Sequence, residues 1–269
     1  MSGTSIRGIA AGELLDRVHY FGVDPERILL LGHQLEAAAV TLHAQFCRAA
    51  LISVDTAPVS TGGIATGANT PPETHLRRWW PARRIRPAPP PRYTVRARPT
   101  ALPLKQQRAD LSYINLLLPG CVEPEQALRE IGRAMRPGGL LLFASLGPDS
   151  LPELTGAVAP PGAYPDIAQL GDLLMRSGFA EPVIDVERHE IRYQSAATLQ
   201  RELDHLLPAP AATVPGAPAG AGNDSLTLNF ELIVAAAFAA NSDPGSVHGS
   251  DPGSGAVLVP LESIGRRKR

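Results

Sequence analysis

Gly32, Asp55 and Asn115 are the residues whose types and positions could hold a small polar ligand. Gly32 ends the apolar run Ile28, Leu29, Leu30 and Leu31, where a glycine lets backbone approach a ligand with no Cβ in the way. Asp55 closes the next apolar stretch, at about the 20-residue separation where a nucleotide-binding fold holds an acid for the ribose hydroxyls. An aspartate after a strand is also a common cap or turn residue, and both readings stand at this point. His33, beside Gly32, is a candidate ligand contact with no catalytic role assigned, and its alternative is a structural or solvated histidine. The loop as a whole reads GHQLE, so side chains fill space that further glycines would have left open.

Other chemistries lack their residues. His19, His43, His75, His189 and His205 fall at no metal-ligand spacing, and neither HExxH nor CxxC occurs, so no metal site is expected. Ser145 and Ser150 flank the turn SLGPDS without the GxSxG elbow of a hydrolase. Cys47 and Cys121 are too few for a disulfide framework, which fits a reducing compartment.

These candidates need a scaffold that sets them at the ends of strands. Residues 11–21 carry Leu14, Leu15, Val18 and Phe21 at helical spacing. The short run ending at Leu31 reads as a strand buried on both faces, residues 34–48 as a helix, and residues 51–55 as the next strand, which makes a βαβ unit. After a proline-rich stretch at 56–103 the pattern resumes, with strands at 111–116, 140–144, 183–192 and 226–234 and helices at 124–135, 164–177 and 196–206. The expected fold is α/β and Rossmann-like, a mostly parallel sheet with helices on both faces and late strands that run antiparallel at one edge. Its ligand site belongs beyond the carboxyl ends of the strands, near Gly32, Asp55, Asn115 and Ser145. One domain over 1–240 is expected, with a Pro/Arg-rich loop insertion at 56–99 and a flexible tail at 241–269.

The net charge of -1 argues against a general polyanion binder. A basic segment, RRWWPARRIRPAPPPRYTVRAR, interleaves arginines with Trp79, Trp80 and Tyr93 and could meet nucleic acid or an acidic protein, or be a solvated loop. No apolar run approaches the roughly 20 residues of a membrane span, and a cytoplasmic protein without membrane attachment is expected.

Several stretches carry a family resemblance: RADLSYINLLL, EQALREIGRAMRPGGLLLFASLGPDSLPEL, YPDIAQLGDLLMRSGFAEPVIDVERHEIRYQSAATLQREL, LTLNFELIVAAAF and VPLESIGRRKR. The chain resembles the malonyl-acyl-carrier-protein O-methyltransferases of biotin synthesis, which are class I methyltransferases. The resemblance implies S-adenosylmethionine as cofactor, for which the strand-end residues Gly32, His33, Asp55 and Asn115 named above are the candidate contacts and Asp55 the one that keeps the family pattern, and it offers an acyl carrier protein as a possible partner. It also implies an arginine for the malonyl carboxylate without saying which; Arg192, beside Tyr193 in the late, substrate-side region, is the candidate. The chain departs from the family where the cofactor should sit. LLLGHQL stands for a DLGCGTG-like loop, and Arg98 falls at about the place of the acid that holds adenine. Those departures lead us to expect impaired cofactor binding. The alternative is a catalytically inactive relative, a pseudoenzyme that keeps the fold and acts as a binding or regulatory partner.

Overall fold

The computed structural model describes residues 5–32, 35–56, 67–68, 92–154, 164–206 and 226–240. Along the chain run α1 (Ile6–Phe21), β1 (Arg27–Gly32), α2 (Glu36–Gln45), β2 (Ala50–Asp55), β3 (Gly67–Ala68), β4 (Arg92–Arg96), β5 (Ala109–Asn115), α3 (Pro124–Ala134), β6 (Met135–Leu146), α4 (Ile167–Arg176), β7 (Phe179–Tyr193), α5 (Ala196–Leu206) and β8 (Leu226–Ala239). The strands form one eight-stranded sheet in the order β3-β4-β2-β1-β5-β6-β8-β7. From β4 to β6 the pairings are parallel; β8 and β7 finish one edge antiparallel, and β3 runs antiparallel beside β4 at the other.

Alternation along β1 explains the layering. Ile28 and Leu30 point into a core with Leu14 of α1, Leu42 of α2 and Leu203 of α5. Leu29 and Leu31 point into a second core with Ile131 of α3 and Leu174 of α4. Helices therefore cover both faces, as the sequence led us to expect for a Rossmann-like sheet. From β1 the chain winds outward through β2 to β4, then returns to β5 on the other side of β1. That reversal puts the topological switch point between the carboxyl ends of β1 and β5, where sheets of this kind place ligands.

The structure differs from the sequence reading in three places. First, α1 begins at Ile6, not near residue 11: the Ser5 side chain caps it by accepting from Gly8 N at 3.1 Å, and Ile6, Ala10, Leu14 and Val18 form its buried stripe. Alanine and glycine dominate the early turns and give no apolar period to read. Second, the expected loop insertion at 56–99 contains β4, paired in parallel with β2 from Leu51↔Arg92 to Asp55↔Arg96. Only Val95 of its residues is half-buried rather than exposed, so RYTVR carries no apolar signal. Third, the strand expected at 140–144 begins at Met135, so that β6 takes in Arg136, Pro137, Gly138 and Gly139 as an irregularity: the pairing with β5 shifts between Ala109 and Leu111, and Gly138 takes φ 72°. The arginines and tryptophans at 77–86, the tail at 241–269 and its apolar run at 256–261 lie outside the described residues.

Candidate functional site

Sheet register brings three of the sequence-derived residues into one row. Gly32 pairs with Asp55 on one side and with Asn115 on the other, and Asp55 pairs with Arg96 beyond it. Directly paired residues project to the same side of a sheet. The row thus faces the side covered by α1, α2 and α5, because Leu30 and Tyr113, two residues before Gly32 and Asn115, lie in that core.

Gly32 has φ 139°, and a Cβ there would sit 3.1 Å from the Asn115 carbonyl and 3.5 Å from Leu35 Cδ2. The positive φ and the close Asn115 carbonyl together favour glycine at this position. Leu35, just before α2, is buried and lies against Gly32. His33 lies outside the described residues.

Asp55 ends β2 with its side chain about one third exposed and its Oδ2 accepting from Arg96 Nη2 at 3.0 Å. The contact is built into the sheet, since Ala97 N also donates to the Asp55 carbonyl at 3.2 Å. Nothing in the sequence pairs these two residues until β4 is recognised as the neighbour of β2.

Asn115 is buried at 6% exposure. Its Nδ2 donates to the Arg7 carbonyl in the first turn of α1 at 3.1 Å, while Oδ1 is buried with no hydrogen-bond partner among the described residues. An acceptor left so inside a protein costs about 1–3 kcal/mol, and a ligand donor would satisfy it. The same first turn is held from the other side: Arg7 N donates to Glu202 Oε1 at 3.2 Å, and Glu202 Oε2 accepts from the Tyr193 hydroxyl at 2.6 Å. Burial lowers the pKa of the Arg7 guanidinium, and Glu202 works against that by favouring the charge. Asn115, α1, α5 and Tyr193 are thereby joined through the backbone of Arg7.

The remaining candidates separate. Arg192 is exposed near the end of β7, whereas Tyr193 is buried with its hydroxyl committed to Glu202. Ser145 pairs with Ile233 and faces the opposite core, so it does not join the row. A separate cleft of about 330 Å³ opens on that opposite side, where Ile167, Val186 and Ile233 give it an apolar lining. Its Glu231 carboxylate already accepts from Asp149 N at 3.0 Å. No cluster of metal-ligating side chains and no helix long and apolar enough to cross a membrane occurs among the described residues. Glu202, Arg7 and Arg96 adjoin the row without any signal in the sequence that marks them; a buried acid in α5 is visible only once the helix is packed.

Residues 74–143 match the model of a methyltransferase domain family. Over 216 residues the chain is 32% identical to a malonyl-[acyl-carrier protein] O-methyltransferase of Halorhodospira halophila, a match covering 78% of this chain and 66% of that protein. The chain is a class I methyltransferase-fold protein similar to the malonyl-[acyl-carrier protein] O-methyltransferases. A second such relative, from Laribacter hongkongensis, is 36% identical over 185 residues, covering 66% of this chain and 59% of its own length. One from Methylovorus is 37% identical over 118 residues, covering 42% of this chain and 40% of its own. The chain thus spans less than two thirds of the length of these relatives. Among solved structures, the methyltransferase fold superposes on the CurJ carbon methyltransferase with TM-score 0.50 at 12% identity, covering 89% of this chain and 56% of that one. On the [4+2]-cyclase SpnF the TM-score is 0.51 at 19% identity, with 90% and 85% covered. Likenesses at such identity speak for the fold alone.

Proposed function

We propose that this protein transfers a methyl group from S-adenosylmethionine to the free carboxylate of a malonyl group on an acyl carrier protein, with weakened affinity for the cofactor. The observation that carries the proposal is the row Gly32, Asp55 and Asn115 at the strand ends, under the first turn of α1. The residues fit the cofactor's chemistry at three points. Asp55 can accept from the ribose hydroxyls, the Gly32 backbone admits a close approach, and the orphaned Asn115 Oδ1 can accept from an amino group.

When bound, S-adenosylmethionine supplies a methyl group activated by a positively charged sulfur. Such a transfer asks little acid or base chemistry of the protein, so the work of these residues is orientation and exclusion of water. α1 does the covering: Asn115 and Glu202 fix its first turn over the site. Arg192, exposed near the carboxyl end of β7, is our candidate partner for the malonyl carboxylate; alternating with Ile191 and Tyr193, its side chain leaves the sheet face opposite the row. Tyr193 contributes by holding Glu202. The free thiols Cys47 and Cys121 agree with work in the cytoplasm.

Weakened affinity is supported by the Arg96 guanidinium on Asp55 and by Leu35 packed against Gly32, where the family's loop is small. The same observations favour a second reading, a methyltransferase-fold protein without catalysis that docks a partner. Incubation with malonyl-acyl carrier protein and S-adenosylmethionine, followed by mass analysis of the carrier, separates the two. Formation of the malonyl methyl ester, lost in Asp55→Ala, supports the enzyme. A carrier left unmodified at saturating cofactor supports the second reading.

A further inference from the structure

Arg96 reaches the Asp55 carboxylate from the neighbouring strand at the same register level, with Nη2 3.0 Å from Oδ2. Resting on the reading that Asp55 receives the ribose of an adenosyl cofactor, we propose that Arg96 is a positioning residue that tunes how tightly the ribose binds. It competes with the ribose diol for Asp55 and thereby sets the affinity of the site.

The placement is not that of a casual surface pair. Both side chains leave paired positions of parallel strands, and the sheet bond from Ala97 N to the Asp55 carbonyl fixes their separation, so little freedom is lost in forming the contact. No acidic residue occurs between Arg92 and Arg108, which leaves Asp55 as the acid that this register offers Arg96. A ribose diol donates two hydrogen bonds and binds best across both oxygens of a carboxylate. With a guanidinium on Oδ2, the ligand must share that oxygen or displace the arginine.

Exposure sets the size of the effect. The side chains are 45% and 34% exposed, so water competes for the pair. Ion pairs of this kind are strong enough to change a competing equilibrium by about two- to fivefold. Removing the charge at 96 therefore tightens binding by about that factor. Because salt screens an exposed pair, raising ionic strength should tighten wild-type binding of a neutral ligand and leave the charge-free variant unchanged.

Adenosine, which is uncharged, and S-adenosylhomocysteine are the probes, titrated calorimetrically into wild type, Arg96→Gln, Arg96→Lys, Asp55→Asn and the double variant Asp55→Asn/Arg96→Gln, with thermal melts to confirm folding. The proposal expects about two- to fivefold tighter binding in Arg96→Gln, affinity near wild type in Arg96→Lys, and no gain from Arg96→Gln when Asp55 is already Asn. Equal or weaker binding in Arg96→Gln overturns the proposal while leaving the cofactor site standing. A gain that persists in the double variant also overturns it, since Asp55 would then not be the point of competition. If neither probe binds any variant at millimolar concentration, the cofactor reading fails and this inference falls with it.

Discussion

Tyr193 donates its hydroxyl to the Glu202 carboxylate at 2.6 Å, with both residues buried between β7 and α5. The other carboxylate oxygen accepts from Arg7 N in the first turn of α1. A single acid of α5 thus ties the first turn of α1 to the end of β7. Tyr193→Phe leaves half of that acid unsolvated and should cost about 1–3 kcal/mol of stability, read as a lower urea midpoint. Glu202→Gln should couple to it, so the double variant loses less than the two single losses combined.

Burial gives the protein an alkaline limit. It raises the pKa of Tyr113 and Tyr193, at Tyr193 with a smaller contribution from Glu202, and pushes Tyr164 up to about 12. A phenol whose folded pKa is raised stays neutral in the native state while its unfolded counterpart ionises near pH 10. The stability it contributes is fully present below that value and is lost as pH rises toward the folded pKa. Urea midpoints should therefore hold up to about pH 9 and fall steadily above about pH 10, with tyrosinate absorbance appearing together with unfolding. Full tyrosine ionisation in a still-folded protein near pH 10 would contradict the burial of these rings.

Asp110 anchors the start of β1. Its side chain is 3% exposed; Oδ2 accepts from Glu26 N at 2.7 Å and Arg27 N at 2.8 Å, and Oδ1 faces Arg136 Nε at 3.0 Å. Asp110→Ala strands two backbone donors beneath the sheet and should destabilise by about 3 kcal/mol, measured by chemical denaturation. Arg136→Ala should cost less than about 1 kcal/mol, because that partner is largely solvated.

Gly32 tests the row directly. Gly32→Ala forces a side chain onto φ 139° and a Cβ to 3.1 Å from the Asn115 carbonyl. A loss of about 1–3 kcal/mol is expected, together with loss of adenosine binding. Gly12→Ala, in α1 with no atom near its Cβ, should be neutral or slightly stabilising and serves as the control.

Much of this architecture was legible where residue type and packing agree. The leucines of β1 are buried on both faces, as an unbroken apolar run implies. The helix read over 164–177 is α4, entered by a capping box in which Asp166 accepts from Gln169 N at 2.8 Å and donates its own N–H to Gln169 Oε1 at 3.0 Å. The sequence was silent where the backbone alone decides. β4 is an exposed strand whose arginines read as loop, and the start of α1 is written in glycine and alanine. The row itself follows from register, which fixes that Asp55 stands between Gly32 and Arg96 and that Ser145 faces away. No spacing in the chain encodes that.

The most direct test of the cofactor site is a calorimetric titration of wild type and Asp55→Ala with S-adenosylhomocysteine, with matched thermal melts. We predict saturable binding below millimolar concentration in wild type and none in a still-folded Asp55→Ala. Equal binding by the two, or none by wild type at millimolar ligand, would contradict a cofactor site built on this row.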